Sequence, residues 1–451
     1  MNFRIAVLAA GLSLLGYASI SAADDWPGFR GQGGRGVAES ARPPVKWDGT
    51  VADDPAILWR ASVPGLGHGS PVVFGNHVYL TTAISVDGDA PLQVGRSGGI
   101  KAAEGEGRQT WAVLCYEKSS GLLLWQKDLR TGEPRATRHA KATQANTSVA
   151  VDEQHVVAFF GSEGLYCLDH SGQLLWEKDL GVIDISKYGI GWGYASSPAV
   201  EGDRIILLCD TADAPCLIAL DLNTGDEIWR TSRAGDCVRS WGTPLIHAIS
   251  EVTQVVINGW PWIVSYDLAT GAEIWRIEGG GDNPTPTPFV DDSKIYLTNA
   301  HGGKSPIIVV KETAKGNLTT DEAAAKALCW RTEQGGAYMS TPVIVKDRLY
   351  LGNTNGVLRC FDAKTGDKIY ESRLGRKASL YASLVAAGEK IYCASEDGTV
   401  YVIEAGDELD VIAKNPMGEP CFATPAISGE ILLIRTTKSL FAIGNEQLQV
   451  P

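Results

Sequence analysis

Short apolar runs recur along the chain, divided by polar turns, in two phrases that alternate. The first phrase is Ser or Thr, then Pro or an apolar residue, then a β run. It stands as Ser70-Pro71-Val72-Val73, Ser148-Val149, Ser197-Pro198-Ala199-Val200 and Thr243-Pro244-Leu245-Ile246, then as Thr287-Pro288-Phe289-Val290, Thr341-Pro342-Val343-Ile344, Ser383-Leu384-Val385 and Thr424-Pro425-Ala426-Ile427. Most copies are followed by a second run, such as Val78-Tyr79-Leu80 or Leu349-Tyr350-Leu351, across a Gly, Asn or Asp. That is the chemistry of a β-hairpin. The second phrase is apolar-x-Asp-x-x-Thr-Gly-x-x-apolar-Trp. Its clearest copies run from Ala219 to Trp229 and from Ser265 to Trp275, and degenerate copies end at Trp125, Trp176, Trp330 and Tyr370. Here the Asp side chain can bond the turn backbone, Gly supplies a positive φ, and the Trp buries a flat surface against a neighbouring unit.

Each unit therefore holds four strands, and eight units follow one another. A four-stranded unit at this period predicts an all-β, eight-bladed β-propeller of antiparallel blades. The last copy ends in Leu440-Phe441-Ala442-Ile443-Gly444, a third strand with no Trp strand behind it. The missing strand is predicted at the other end, in Ala56 to Val63 around Trp59, where it closes the ring and removes a sheet edge. Trp59, Trp125, Trp176, Trp229, Trp275, Trp330 and Tyr370 are thus the expected blade-docking residues. Residues 24–52 read as an N-terminal extension and 53–451 as the propeller. Two stretches break the repeat, at about 86–110 and 301–327. The second carries a predicted helix from Thr320 to Leu328. Each reads as a solvated excursion or as a lid or partner contact on one face.

These phrases resemble the pyrroloquinoline-quinone-type (PQQ-like) repeats over about residues 53 to 445. The eight-unit count is similar to the BamB-like outer-membrane assembly factors and to the quinoprotein alcohol dehydrogenases. The opening Asp25-Trp26-Pro27-Gly28-Phe29-Arg30-Gly31 resembles the start of many exported bacterial propellers of this kind. The dehydrogenase resemblance implies a noncovalent quinone and Ca²⁺, held with an adjacent Cys-Cys pair and a Glu/Asn/Asp calcium set. The sequence has no Cys-Cys pair and no convincing calcium set, and it lacks the lipidation motif of the BamB group. By motif it is set apart from both groups.

Composition narrows the setting. Arg4, an apolar run from Ile5 to Ile20, and Ser21-Ala22-Ala23 before Asp24-Asp25 read as a signal peptide over residues 1–23, cleaved after Ala23. The alternative is a membrane anchor, but Gly11, Gly16 and the serines make a poor spanning helix. The absence of a Cys just after the run argues against a lipoprotein. The expected location is periplasmic or extracellular, as a monomer with no transmembrane segment after cleavage. The net charge of −13 argues against nucleic acid as a partner. Nine cysteines include no C-x-x-C, so thioredoxin chemistry and most zinc clusters are unsupported. Cys115, Cys167 and Cys360 share one repeat position and read as small core residues. Cys209 and Cys216 flank a turn and could bridge adjacent strands.

Candidate function gathers at the channel mouth, where the first strand of each blade begins. Stepping back from each Ser or Thr gives His68, Asn146, Trp241 and Tyr381, with Trp192, Tyr194, Arg239 and Tyr338 just before such positions. This aromatic ring with one Arg, one His and one Asn suits a flat or anionic small ligand or an extended peptide, or else it plugs the channel. No catalytic set and no metal site is identified: G-x-S-x-G and H-E-x-x-H are absent. The favoured expectation is a non-enzymatic binding or scaffold protein whose partner is a protein or small molecule. The alternative is a degenerate quinoprotein oxidoreductase using noncovalent PQQ and Ca²⁺.

Overall fold

A computed structural model describes residues 25–445, apart from 89, 96–100, 186–190, 212, 236, 238 and 251. The leader read at 1–23 lies outside the described residues. Within them, the strands form eight four-stranded antiparallel blades in a ring, an eight-bladed β-propeller. Blade 1 is Val72–Phe74, His77–Ser85, Gln109–Glu117 and Leu123–Gly132. Blade 8 takes Ala426–Ser428, Ile431–Arg435 and Ser439–Ile443, and its outer strand is Ile57–Ser62, with Trp59 opposite Ala442. The ring closes as the sequence predicts. No helix of the described residues is long and apolar enough to cross a membrane.

The core lies between blades, because each strand alternates its side chains between two neighbours. Tyr350, Leu358 and Cys360 of blade 6 meet Ala386, Ile391, Cys393 and Ile403 of blade 7 in one buried cluster. Cys115 and Cys167 are equally buried in such layers. Two further devices join blade to blade. The Ser/Thr of the first phrase forms a chain around the axis. The Ser70 N–H donates to the Ser148 hydroxyl, Ser148 to Ser197, Ser197 to Thr243, Thr243 to Thr287, Thr287 to Thr341, Thr341 to Ser383 and Ser383 to Thr424, at 2.8–3.2 Å. A hydroxyl at this position meets a backbone donor that strand pairing leaves over.

The second device is the Trp. Trp59, Trp125, Trp176, Trp229 and Trp330 donate their indole N–H to the carbonyls of Lys118, His170, Leu222, Leu268 and Ala363 of the next blade, at 2.8–3.0 Å. Each ring lies on the turn glycine of that blade: Gly121, Gly172, Gly225, Gly271 and Gly366, all at positive φ. Trp275 differs. It is fully buried and donates to Gln254 Oε1 of its own blade. The cause is an extra strand, Gly316–Asn317, which pairs parallel with Glu273–Glu278 and covers that edge. Tyr370 holds the equivalent place in blade 6 as an interior position of Lys368–Arg373.

The second excursion is smaller than the sequence suggests. Ile307–Lys311, inside 301–327, is the third strand of blade 5, so what departs from the repeat is a wide hairpin tip before it and residues 312–327 after it. The latter carry α1, Asp321–Ala327, capped by the Thr320 hydroxyl accepting from the Ala323 N–H.

The N-terminal extension closes one end of the channel. Trp26 pairs with Val73 of blade 1, Pro27 accepts from the Val151 N–H of blade 2, and Val37–Ala38 runs parallel to the inner strand of blade 7. Arg35 reaches Asp291 of blade 5 at 2.8 Å. At the centre Arg30 is 1% exposed. Its guanidinium donates to the carbonyls of Thr341, Pro342 and Leu384 from blades 6 and 7, and to those of Gly34 and Arg35. Burial pushes its pKa down to about 9, so the carbonyl cage is what keeps the charge tolerable.

Candidate functional site

Loops that enter the inner strands share one end of the ring with the hairpin tips between second and third strands. This end lies opposite the Arg30 plug. Two polar clusters occupy it. In the first, Lys141 Nζ lies 2.6 Å from Glu396 Oε1, donates to the Tyr381 hydroxyl at 3.2 Å and sits 4.6 Å from the centre of that ring. Tyr381 touches Phe422, and Phe422 stacks on His68 with centroids 4.6 Å apart. His68 Nε2 pairs with the Lys141 carbonyl. Burial first, with Arg435 and Arg138 nearby, lowers the His68 pKa to about 4, so its ring is neutral.

In the second cluster Arg239 pairs with Asp282 at 3.0 Å, and His301 Nδ1 meets the other oxygen of the same carboxylate. His301 stacks on Tyr338, whose hydroxyl accepts from Asn283 at 3.4 Å. Burial alone would raise the Asp282 pKa, but His301 and Arg239 outweigh it and hold the carboxyl below its usual range. The remaining expected residues stand apart from these clusters. Asn146 accepts from the Thr143 N–H and hydroxyl and donates to the Tyr194 carbonyl. Trp241 donates to the Gly193 carbonyl, and Trp192 stacks on His139. Tyr194 leaves the mouth altogether. Its ring packs edge-on to Phe159 and its hydroxyl donates to the Leu208 carbonyl, between blades 2 and 3.

So the fold joins His68 with Tyr381, and Arg239 with Tyr338, but not all eight. Sequence reasoning missed Lys141, Glu396, Asp282 and His301. Glu396 had a readable signal: Ser395-Glu396-Asp397-Gly398 is a hairpin-tip sequence, and hairpin tips face the same end as the entry loops.

Described residues of the first excursion, among them Pro91, Gln93, Gly95 and Glu106, reach this mouth. The Gly95 N–H donates to Glu396 Oε1 at 2.7 Å, linking a blade 1 insertion to blade 7. The Gln93 N–H donates to the Ala140 carbonyl, and Arg138 donates to the Pro91 carbonyl and pairs with Glu106. A cavity of about 330 Å³ lies elsewhere, beside α1, lined by Lys311, Lys315, Glu322 and Lys326 among others.

The donor chemistry of the mouth does not fit the calcium and quinone that the dehydrogenase resemblance implies. Its carboxylates are already committed: Glu396 to Lys141, Asp282 to Arg239 and His301, Glu106 to Arg138. Among the described residues, no group of three or more His, Cys, Asp or Glu side chains is placed to hold a metal ion.

The outer strands present a different chemistry. Leu123 and Leu124 of blade 1, Leu175 of blade 2 and Ile228 of blade 3 stand exposed at 39–44%, with Leu122 in the turn before them. The equivalent Ile274 of blade 4 packs instead against the core that α1 and its flanks complete.

Comparison with known proteins places this fold among relatives. The chain is 27% identical over 103 residues to outer membrane protein assembly factor BamB of Burkholderia pseudomallei (strain K96243), covering 23% of this chain and 26% of that protein. It is 28% identical over 123 residues to BamB of Moranella endobia (strain PCIT), covering 25% and 31%. The aligned segments thus span under a third of those relatives. The crystal structure of BamB from Moraxella catarrhalis superposes with a TM-score of 0.53 at 19% identity, over 80% of this chain and 96% of that one. A europium-containing methanol dehydrogenase superposes with a TM-score of 0.63 at 10% identity, over 94% and 98%. At such identities these two likenesses show the shared propeller alone. The sequence profile described as outer membrane protein assembly factor BamB matches at residues 49–178, 109–327, 261–412 and 314–437. This corrects the separation drawn from the missing lipidation motif, because membership is carried by the repeats. Over most of its length the chain belongs to that BamB family of PQQ-like repeat propellers.

Proposed function

We propose that this protein is a non-catalytic scaffold of an exported compartment, taking part in outer-membrane protein assembly by binding another polypeptide. One observation carries the reading. The channel is stopped at one end by Arg30 and its segment, and bridged at the other by Lys141, Glu396 and Gly95 of the first excursion, while apolar side chains stand open on the outer strands of blades 1 to 3. A propeller closed on its axis and apolar on its rim is built to be held from the side. Family membership supports the same direction, since the relatives are described as assembly factors.

The test is site-specific photo-cross-linking in the native cell envelope. A photoreactive residue replaces Leu123 or Ile228, with Lys368 on blade 6 as the control position. A discrete adduct with an outer-membrane assembly protein from the first two sites, and none from Lys368, supports the scaffold. Equal adducts from all three sites, or none, sink it. Titrating the purified protein with PQQ and Ca²⁺ while following Trp fluorescence tests the oxidoreductase alternative. The scaffold reading expects no saturable, Ca²⁺-dependent quenching.

A further inference from the structure

We propose that Cys209 and Cys216 form a reversible disulfide across the tip of blade 3, with Cys216 as the attacking thiol and Cys209 as the resolving one. Cys209 ends the strand Arg204–Cys209 and Cys216 begins Cys216–Asp221, and the two are direct Cα partners in the antiparallel ladder. Residues so paired put their side chains on one face with Cα atoms about 4.5–5.5 Å apart. That falls inside the roughly 4.4–6.8 Å range of Cα separations seen in disulfides, so the two thiols face each other across the ladder within bridging range.

The surroundings distinguish the two sulfurs. Arg230, on the neighbouring strand Glu227–Ser232, donates through its guanidinium to Cys216 Sγ at 3.3 Å. Glu227 holds Arg230 in place at 2.6 Å. A guanidinium at a thiol stabilises the thiolate, the reactive form. The hydrogen bond from Cys209 and the charge of Arg230 lower the Cys216 pKa to about 7, while Cys209, giving that hydrogen bond from a fully buried site, is raised. The repeat-position cysteines contrast: burial pushes Cys115, Cys167 and Cys360 up to about 12. Cys237 lies near the same hairpin but donates to Asp210 Oδ2 at 2.9 Å, and it is not in register with either partner. Cys216 is 8% exposed, and the half-exposed Arg230 marks the side from which a reagent arrives.

The oxidant is a low-molecular-weight disulfide. The Cys216 thiolate attacks one sulfur of it, an S–S bond breaks, and one thiolate leaves. Cys209 then gives up its proton and attacks Cys216 Sγ, displacing the second thiolate. Two protein thiols are oxidised by two electrons, and one disulfide is reduced to two thiols.

The experiment uses the purified, folded chain and oxidised glutathione. After incubation the protein is denatured in N-ethylmaleimide, so that every remaining thiol, buried or not, is blocked, and it is then mapped by mass spectrometry. Of the nine cysteines, two are expected to escape blocking, joined as a Cys209–Cys216 link two hydrogens lighter than the dithiol and restored by dithiothreitol. Cys209→Ser is expected to trap a glutathione on Cys216, and Cys216→Ser to leave Cys209 unmodified. Arg230→Gln should slow the reaction roughly tenfold at neutral pH. Nine blocked thiols after oxidation, with circular dichroism unchanged, overturn the proposal. So does a link between any other pair. A glutathione trapped on Cys209 rather than Cys216 overturns the assignment of roles.

Discussion

Replacing Gly225 by Ala isolates the contact that docks one blade on the next. Gly225 sits at φ +74° in the Asp221–Gly225 turn of blade 3, under the Trp176 ring of blade 2. An alanine there carries a conformational cost of about 1–2 kcal/mol, because L-residues resist that region. Its Cβ would also stand 2.7 Å from Trp176 Cε3, closer than real contacts allow. The indole must tilt away. That loosens its 3.0 Å bond to the Leu222 carbonyl, a loss of about 1 kcal/mol. The uncovered ring surface removes roughly 1 kcal/mol more. The total is on the order of 3–4 kcal/mol, in the range of named backbone and packing defects. Gly202 is the matched control: same blade, φ +57°, and nothing within 4 Å of an added Cβ. Gly202→Ala should show only the conformational part, about 1–2 kcal/mol. Urea unfolding followed by far-ultraviolet circular dichroism compares the two, and the comparison is repeated in a Trp176→Leu background. There the two alanines should cost the same, because the clashing ring is gone. Equal costs in the native background, or a difference that survives Trp176→Leu, would refute the docking argument.

Three further outcomes follow from the same structure. Thr243→Val keeps the shape but removes the hydroxyl that accepts from the Ser197 N–H, and the orphaned buried donor should cost about 1–3 kcal/mol and speed amide exchange at Ser197. His68 is neutral when folded, with a pKa near 4, and ordinary at about 6.5 when unfolded, so the unfolded chain binds more protons between these values. Stability should therefore fall as pH drops from 6.5 towards 4, by at most about 3 kcal/mol and less for a partly exposed ring, and His68→Leu should flatten that slope in acid titrations of unfolding. Arg30→Met strips the donors from the Thr341, Pro342 and Leu384 carbonyls; a loss of roughly 3 kcal/mol or more, with faster exchange at Val151 and Ala386, is expected, and unchanged protection at both amides would disprove the plug.

The ring, its blade count and its closing strand were legible because each rests on a local pattern repeated eight times. Thr-Gly before an apolar-Trp pair marks a turn wherever it stands. The Ser and Thr of the first phrase were visible too, but their use was not: the hydroxyl accepts from a different blade, and no local pattern reveals that. The mouth was read poorly for a related reason. Counting back from the inner strand found Tyr381 and Arg239, yet Lys141 and Glu396 meet across 255 residues through a loop of no fixed period. Tyr194 packs its ring against Phe159 between blades 2 and 3, a placement that counting back from the inner strand does not reveal. Trp275 broke its repeat because an insertion from the following blade covered it.

Blade 8 draws its outer strand from Ile57–Ser62 and its other three from Ala426 onward, so the ring has an order of assembly. Arg60 and the Ser439 hydroxyl it contacts lie 379 residues apart. Bringing such distant segments together costs roughly 5 kcal/mol of chain entropy, from the logarithmic dependence on loop length. Blades 1 to 7 can each form from their own contiguous segments, but the circle cannot be completed until Ser439–Ile443 joins Ile57–Ser62. Until then Trp59 has no blade to belong to, and Ile57–Ser62 is an open edge that a second copy could capture. The slowest step of folding should therefore be the seal between the earliest and latest strands. Dilution during refolding, rather than any single core contact, should decide how much of the protein reaches the closed ring.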